Sequence, residues 1–290
     1  MSCVDSAIVF RAEGEQLIGV LSAPAVPSDT GLLMIVGGPQ YRAGSHRQFV
    51  ALARHAANAG IATLRFDCRG MGDSTGVPAG FEDCDSDIAA AIDALIDRCP
   101  TVGRIFLWGL CDGASAALLY VDRRQDARVA GVCILNPWVR SATTLARAQV
   151  KHYYGQRLFE REFWWKLLRG GVDIRGAIRE FAGKLRLSSV KTEAQAGALP
   201  FQDRMASALR RHRGQVLLIL SGRDLTAKEF IDHVASDPAW NGILQGDQVR
   251  RHQVDDADHT FSTAAWRSQV EQATVDWIAA ATARQTEFRR

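Results

Sequence analysis

The chain predicts an α/β fold, with a mostly parallel central sheet and helices on both faces, and three observations carry that prediction. Continuous apolar runs such as GLLMIVGG at 31–38 and RIFLWGL at 104–110 have the composition of strands buried on both faces. Segments with apolar residues at helical spacing separate these runs, and such alternation argues a parallel sheet with crossover helices. The length of 290 residues, with 47% hydrophobic and 23% charged side chains, suits a sizeable core in an ordinary globular chain.

Residues 7–24, AIVFRAEGEQLIGVLSAP, read as two short strands around a glycine-containing turn. GLLMIVGG is the first fully buried strand. HRQFVALARHAANAG follows as a helix, with Gly60 at its C-terminal end. Next come strand IATLRFD, turn CRGMGDSTG and helix SDIAAAIDALIDRC. Strand RIFLWGL enters the corner GLCDG, which opens a small-residue helix, and strand VAGVCILNP follows. QVLLILSG at 215–222 resumes the pattern. VRRHQVDDADHTFS supplies one more strand and a loop, and AWRSQVEQATVDWIAAAT is the final helix.

The alternation breaks over 139–209. LFEREFWWKLL and IRGAIREFAGKL lie there, the second with an amphipathic stripe of Ile174, Ile178, Phe181 and Leu185. A helical lid over 139–209 is expected, set between core segments 1–138 and 210–290. Residues 139–191 carry 12 Lys/Arg against 4 Asp/Glu, whereas the rest of the chain carries 23 against 28. This basic insert is compatible with an anionic substrate, a phospholipid surface or a solvated face. Arg157, Arg161 and Lys166 are its candidate substrate-binding residues. Nucleic acid is not expected, because no recognition motif accompanies the charge.

The six cysteines, at 3, 68, 84, 99, 111 and 133, form no CxxC or Cys/His cluster, which argues against structural zinc. In a reducing compartment they remain free thiols. No run approaches the ~18 apolar residues of a membrane helix, and MSCVDSAIVFRAEGEQ lacks the features of a signal peptide. The expected location is the cytoplasm. The sequence implies no metal or organic cofactor and does not reveal an oligomeric state.

The chemistry gathers at Gly109-Leu110-Cys111-Asp112-Gly113. A G-x-nucleophile-x-G pattern between strand and helix is a nucleophile elbow, and the helix N-terminus favours a thiolate. The bland alternative is a cysteine packed as a small hydrophobe. Acid and base follow in the order the elbow requires. Asp224 lies after strand QVLLIL, and His259 lies in the DDADHTFS loop. Asp224 has a structural alternative as the cap of the helix beginning LTAKEF. Asp255, Asp256 and Asp258 are rival acids, weighted lower because a carboxylate adjacent in sequence rarely faces the same imidazole. An oxyanion hole needs two backbone N–H groups. One is assigned to Asp112, the residue after the nucleophile. The other comes from VGGPQYRAG, where Pro39 has no N–H, leaving Gly38 or Gln40.

Together these residues resemble the α/β-hydrolase superfamily. GGP after the third strand is similar to the HGGP turn of its peptidase-like branch and favours Gly38 as the donor. DCRGMGDSTG at 67–76 resembles the D-x-R-G-x-G-x-S turn of that superfamily. With GGPQYRAGSHRQFV, GLCDGASAALLY, HYYGQRLFEREFWWKLLRGG and DADHTFS, the chain also resembles the hydrolase 1 family associated with the exosortase A system. That resemblance implies hydrolase chemistry near bacterial exopolysaccharide and protein-sorting genes, with no established substrate. Cys111 stands where serine is usual in the superfamily; dienelactone hydrolases show that the fold can use a thiol. The leading expectation is an esterase or thioesterase acting on a small acyl ester or thioester through a Cys111 thioester. The alternatives are an acyltransferase to a sugar or amine, and a catalytically silent binding protein that retains the fold.

Overall fold

The computed structural model describes residues 3–38, 40–78, 80–140 and 199–287. The described strands are β1 (Val4–Ala12), β2 (Glu15–Ala23), β3 (Thr30–Ile35), β4 (Ala62–Phe66), β5 (Arg104–Leu110), β6 (Val129–Leu135), β7 (Gln215–Ser221) and β8 (Val249–Val254). They form one sheet in the order β1-β2-β4-β3-β5-β6-β7-β8. The pairs β1–β2 and β2–β4 are antiparallel, and every later pair is parallel. The helices are α1 (Gln48–Asn58), α2 (Asp85–Arg98), α3 (Asp112–Arg124), α4 (Phe201–Arg211), α5 (Leu225–Ser236) and α6 (Ala264–Glu287).

Position in the sheet explains the sequence pattern of each strand. Every residue of β3, β4 and β6 is buried, which is why these strands read as unbroken apolar runs. The edge strand β1 keeps most of its side chains in contact with solvent. Its hairpin turns through Glu13 and Gly14, both at positive φ, as a two-residue turn matching strand twist requires.

Alternate side chains leave opposite faces of the sheet. Leu32, Met34, Phe106 and Trp108 join Phe49 of α1 and Trp277 of α6 in one apolar cluster. Edge-on aromatic pairs tie it together, Phe49 to Trp108 at 5.5 Å and Phe106 to Trp277 at 5.2 Å. On the other face α2, α3 and α4 pack side by side.

The main compact unit comprises Met1–Trp138 and Phe201–Arg290. This corrects the expected boundary at 209. Helix α4 buries Met205 and Leu209 and packs on α3, so residues 201–209 belong to the body. Residues 141–198, including Arg157, Arg161, Lys166 and both amphipathic segments of the expected lid, lie outside the described residues.

From β3 the chain crosses to β4 on one side, whereas β5 continues to β6 on the other. The carboxyl ends of β3 and β5 therefore flank a topological switch point, where ligands bind in open α/β sheets. Gly38 and Cys111 follow those two ends.

Candidate active site

Cys111 sits at the apex of a sharp elbow between β5 and α3, with φ 59° and ψ −124°. Such a conformation is costly for a residue with a Cβ, and the surrounding backbone fixes it. The Cys111 N–H donates to the Leu135 carbonyl at 2.9 Å, and its carbonyl accepts from the Trp138 N–H at 3.2 Å. The flanking glycines are required by space. A Cβ on Gly109 would lie 2.3 Å from the Gly113 carbonyl oxygen, and one on Gly113 would lie 2.5 Å from that of Ile35. Both obstacles are backbone and cannot turn aside. Gly109→Ala is expected to cost roughly 1–3 kcal/mol, as overpacking does, and to slow alkylation of Cys111. Denaturant unfolding and iodoacetamide kinetics measure the two effects.

His259 follows β8 in a turn that places its ring over the elbow. Its Nδ1 lies 2.8 Å from Oδ2 of Asp224. The hydrogen bond donated to Asp224, then the contact with Cys111, push the imidazole up from 6.5 to about 10 against the opposing effect of burial. Burial alone would discourage ionisation of Asp224. Its bonds to His259, then to the Ala227 and Thr226 N–H groups, outweigh that and hold the carboxyl below its usual 3.8. Asp224 also caps α5, accepting from Thr226 at 3.2 Å and Ala227 at 3.1 Å. The capping reading therefore holds, and the cap fixes the carboxylate that meets the histidine.

The sign of the pH dependence follows from these shifts. A raised histidine contributes stability fully below its unfolded value and loses it through its folded value; a depressed carboxylate behaves oppositely. The pair should stabilise the protein fully between Asp224's ordinary 3.8 and His259's ordinary 6.5, then progressively less until about pH 10. Unfolding curves of wild type and His259→Ala at pH 5.5, 8 and 10 should therefore converge as the pH rises.

The rival carboxylates face elsewhere. Asp258 accepts from the Thr260 N–H at 3.1 Å and the Ser262 N–H at 3.0 Å. Asp256 pairs with Arg223 at 2.6 Å, and Asp255 accepts from Gln253 at 2.8 Å.

Three further side chains hold the site together, the last of them the first residue of the 67–76 turn that the sequence singles out. The first is the side chain of Asp112, whose Oδ2 accepts from the Gly38 N–H at 2.7 Å and whose Oδ1 accepts from the Gly113 N–H at 3.1 Å. The second is Asn136, buried at the end of β6 with φ 42°. Its Nδ2 donates to Ser221 Oγ at 2.8 Å and to the His259 carbonyl at 3.2 Å. Its Oδ1 accepts from the Ser221 N–H at 2.9 Å. Asn136 thus joins the ends of β6 and β7 to the histidine turn, at a positive φ that asparagine tolerates better than most residues with a Cβ. The third is the fully buried Asp67, which accepts from the Arg42 N–H at 2.6 Å and the Asp73 N–H at 3.1 Å and pairs with the Arg42 guanidinium. It anchors the loop after β3 that carries Gly38.

A cavity of about 370 Å³ contains the assembled groups, lined by Cys111, His259, Gly38, Gln40, Phe81 and Trp138 among others. A second, of about 780 Å³, shares Gly38, Gln40, Phe81 and Asp112 with it and extends to Val36, Met71 and Ala116. Among the described residues, no group of three or more His, Cys, Asp or Glu side chains is placed to hold a metal ion, and no helix is long and apolar enough to cross a membrane.

The fold is shared with solved esterases. The esterase Pf2001 of Pyrococcus furiosus superposes with a TM-score of 0.65 at 14% identity, over 96% of this chain and 92% of that one. Est1E of Butyrivibrio proteoclasticus, solved with ferulic acid bound, gives 0.62 at 16% identity, over 96% and 100%. A thermostable carboxyl esterase of Bacillus coagulans gives 0.63 at 14% identity, over 96% and 99%. No curated protein sequence matches the chain. The sequence profile of the alpha/beta hydrolase family matches residues 32–275, a span that includes Cys111, Asp224 and His259. With that match and this sheet, the chain belongs to the alpha/beta hydrolase family.

Proposed function

We propose that this hydrolase cleaves an ester or thioester through a covalent acyl-enzyme on Cys111. The Cys111 thiolate attacks the acyl carbon while His259, as its cation, holds the proton. Backbone N–H groups of Gly38 and Asp112 receive the oxyanion. The leaving alkoxide or thiolate departs with the proton of His259. Water then attacks the thioester, His259 takes its proton, and the C–S bond breaks to release the acid and restore the thiol. Asp224 orients the imidazole and stabilises its cation. The observation that supports this reading best is the position of His259 between the Asp224 carboxylate, at 2.8 Å, and the thiol on the strained elbow.

All six cysteines are free, which suits a reducing compartment, and we place the protein in the cytoplasm. A role beside exosortase-linked exopolysaccharide metabolism rests on the sequence resemblance. In the same reading Arg157, Arg161 and Lys166 draw anionic acyl donors towards the site.

Intact mass spectrometry after incubation with a panel of acyl esters and acyl thioesters tests the proposal. An acyl adduct that maps to Cys111, decays in water and is absent from Cys111→Ala is expected. Failure of any panel member to acylate a Cys111 that iodoacetamide alkylates readily would overturn it.

A further inference from the structure

The acyl-transfer reading requires two vacant N–H donors beside Cys111, and in this structure a carboxylate engages the one assigned to Gly38. The Gly38 N–H, presented by a turn at φ 59°, donates to Asp112 Oδ2 at 2.7 Å. A second donor, the Gly113 N–H, reaches Oδ1 at 3.1 Å. The fit is close: a Cβ on Gly37 would lie 2.0 Å from Asp112 Oδ1. The side chain therefore rests against the β3 loop with its negative end on the Gly38 donor meant for the oxyanion.

We propose that Asp112 plugs the oxyanion site of its own elbow and that acylation of Cys111 begins only when this side chain swings away. The inference rests on the acyl-transfer reading above. An anion already bonded to Gly38 opposes a developing oxyanion twice, by occupying that donor and by like-charge repulsion. Space for the displaced side chain adjoins it. The cavity of about 780 Å³ is lined by Asp112 together with Val36, Met71, Phe81 and Ala116, and not by Cys111, His259 or Asp224, so a side chain rotated into it and off the Gly38 N–H leaves those three residues in place. Asp112 thereby controls which acyl donors react, since a substrate must bind well enough to pull the carboxylate off the Gly38 and Gly113 N–H groups.

Two reactions of the same sulfur separate this plug from a structural role. Alkylation by iodoacetamide is a displacement at a saturated carbon and builds no oxyanion; acylation by p-nitrophenyl butyrate builds one. Both rates are measured on the full-length wild type, Asp112→Ala and Asp112→Asn, with thermal unfolding to confirm the fold. Asp112→Asn removes the charge but keeps an acceptor oxygen, so it guards against a misfolded alanine variant. The ratio of acylation to alkylation should rise at least about tenfold in Asp112→Ala and by a smaller factor in Asp112→Asn. An unchanged or lower ratio in folded variants would show that the carboxylate only braces the Gly38 loop, and the plug would be discarded. Alkylation of Cys111 in all three proteins with acylation in none would instead overturn the acyl-transfer reading on which the plug depends.

Discussion

His259→Ala is expected to reduce kcat for ester cleavage on the order of 100,000-fold, the scale of losing the base from a nucleophile–base–acid triad, while the protein stays folded. The size of the loss follows from placement. Among the described residues, His259 is the histidine that lines the cavity around Cys111. His212 is half-buried, and burial pushes its imidazole down to about 4. His233 stacks edge-on against Trp240 at 6.2 Å, and His252 lies on β8. Among the described residues, no other imidazole lines that cavity. The fold should survive because the turn is held through the backbone: Asn136 donates to the His259 carbonyl at 3.2 Å, a bond alanine keeps. Steady-state kinetics with circular dichroism distinguishes this from collapse. A variant within threefold of wild-type kcat would remove His259 from the mechanism.

What was legible in the sequence was set by burial. β3, β5 and β6 are covered on both faces, so their apolar runs and the glycines of the elbow carry the fold almost directly. The meeting of Asp224 with His259 beside Cys111 was legible for a related reason: the three residues sit at chain positions fixed by strand order, after β5, β7 and β8. What was not legible depends on contacts between segments distant in sequence. Nothing local distinguishes an Asp112 side chain facing solvent from one turned back onto Gly38, 74 residues away. Asn136 joins Ser221 across 85 residues, a pairing with no periodic signature. Residues 201–209 fall in the expected insert because the strand–helix alternation resumes only with QVLLILSG, and nothing local shows that α4 packs on α3. Asp224 shows a third situation. Its cap and its catalytic reading were posed as rivals, yet a carboxylate has two oxygens and enough lone pairs to serve both.

That double service makes position 224 separable by mutation. Asp224→Asn keeps a strong capping residue, so the α5 terminus should remain stable. The amide that faces His259 can only place a donor or a single oxygen there, without charge. With an N–H opposite Nδ1, the ring is driven to the tautomer protonated at Nε2, which cannot take the thiol proton. Turnover is expected to fall about 1,000- to 10,000-fold, less than on removal of the base. Asp224→Ala should lose a similar amount of activity and, in addition, about 1 kcal/mol of stability from the missing cap. Two variants of similar kcat but different unfolding midpoints would thus assign charge to catalysis and acceptor oxygens to the helix. Wild-type turnover in Asp224→Asn would transfer the acid role to residues 255–258. That outcome requires one of three carboxylates to abandon its present partners, Gln253, Arg223 or the Ser262 turn, and cross to an imidazole already bonded at 2.8 Å.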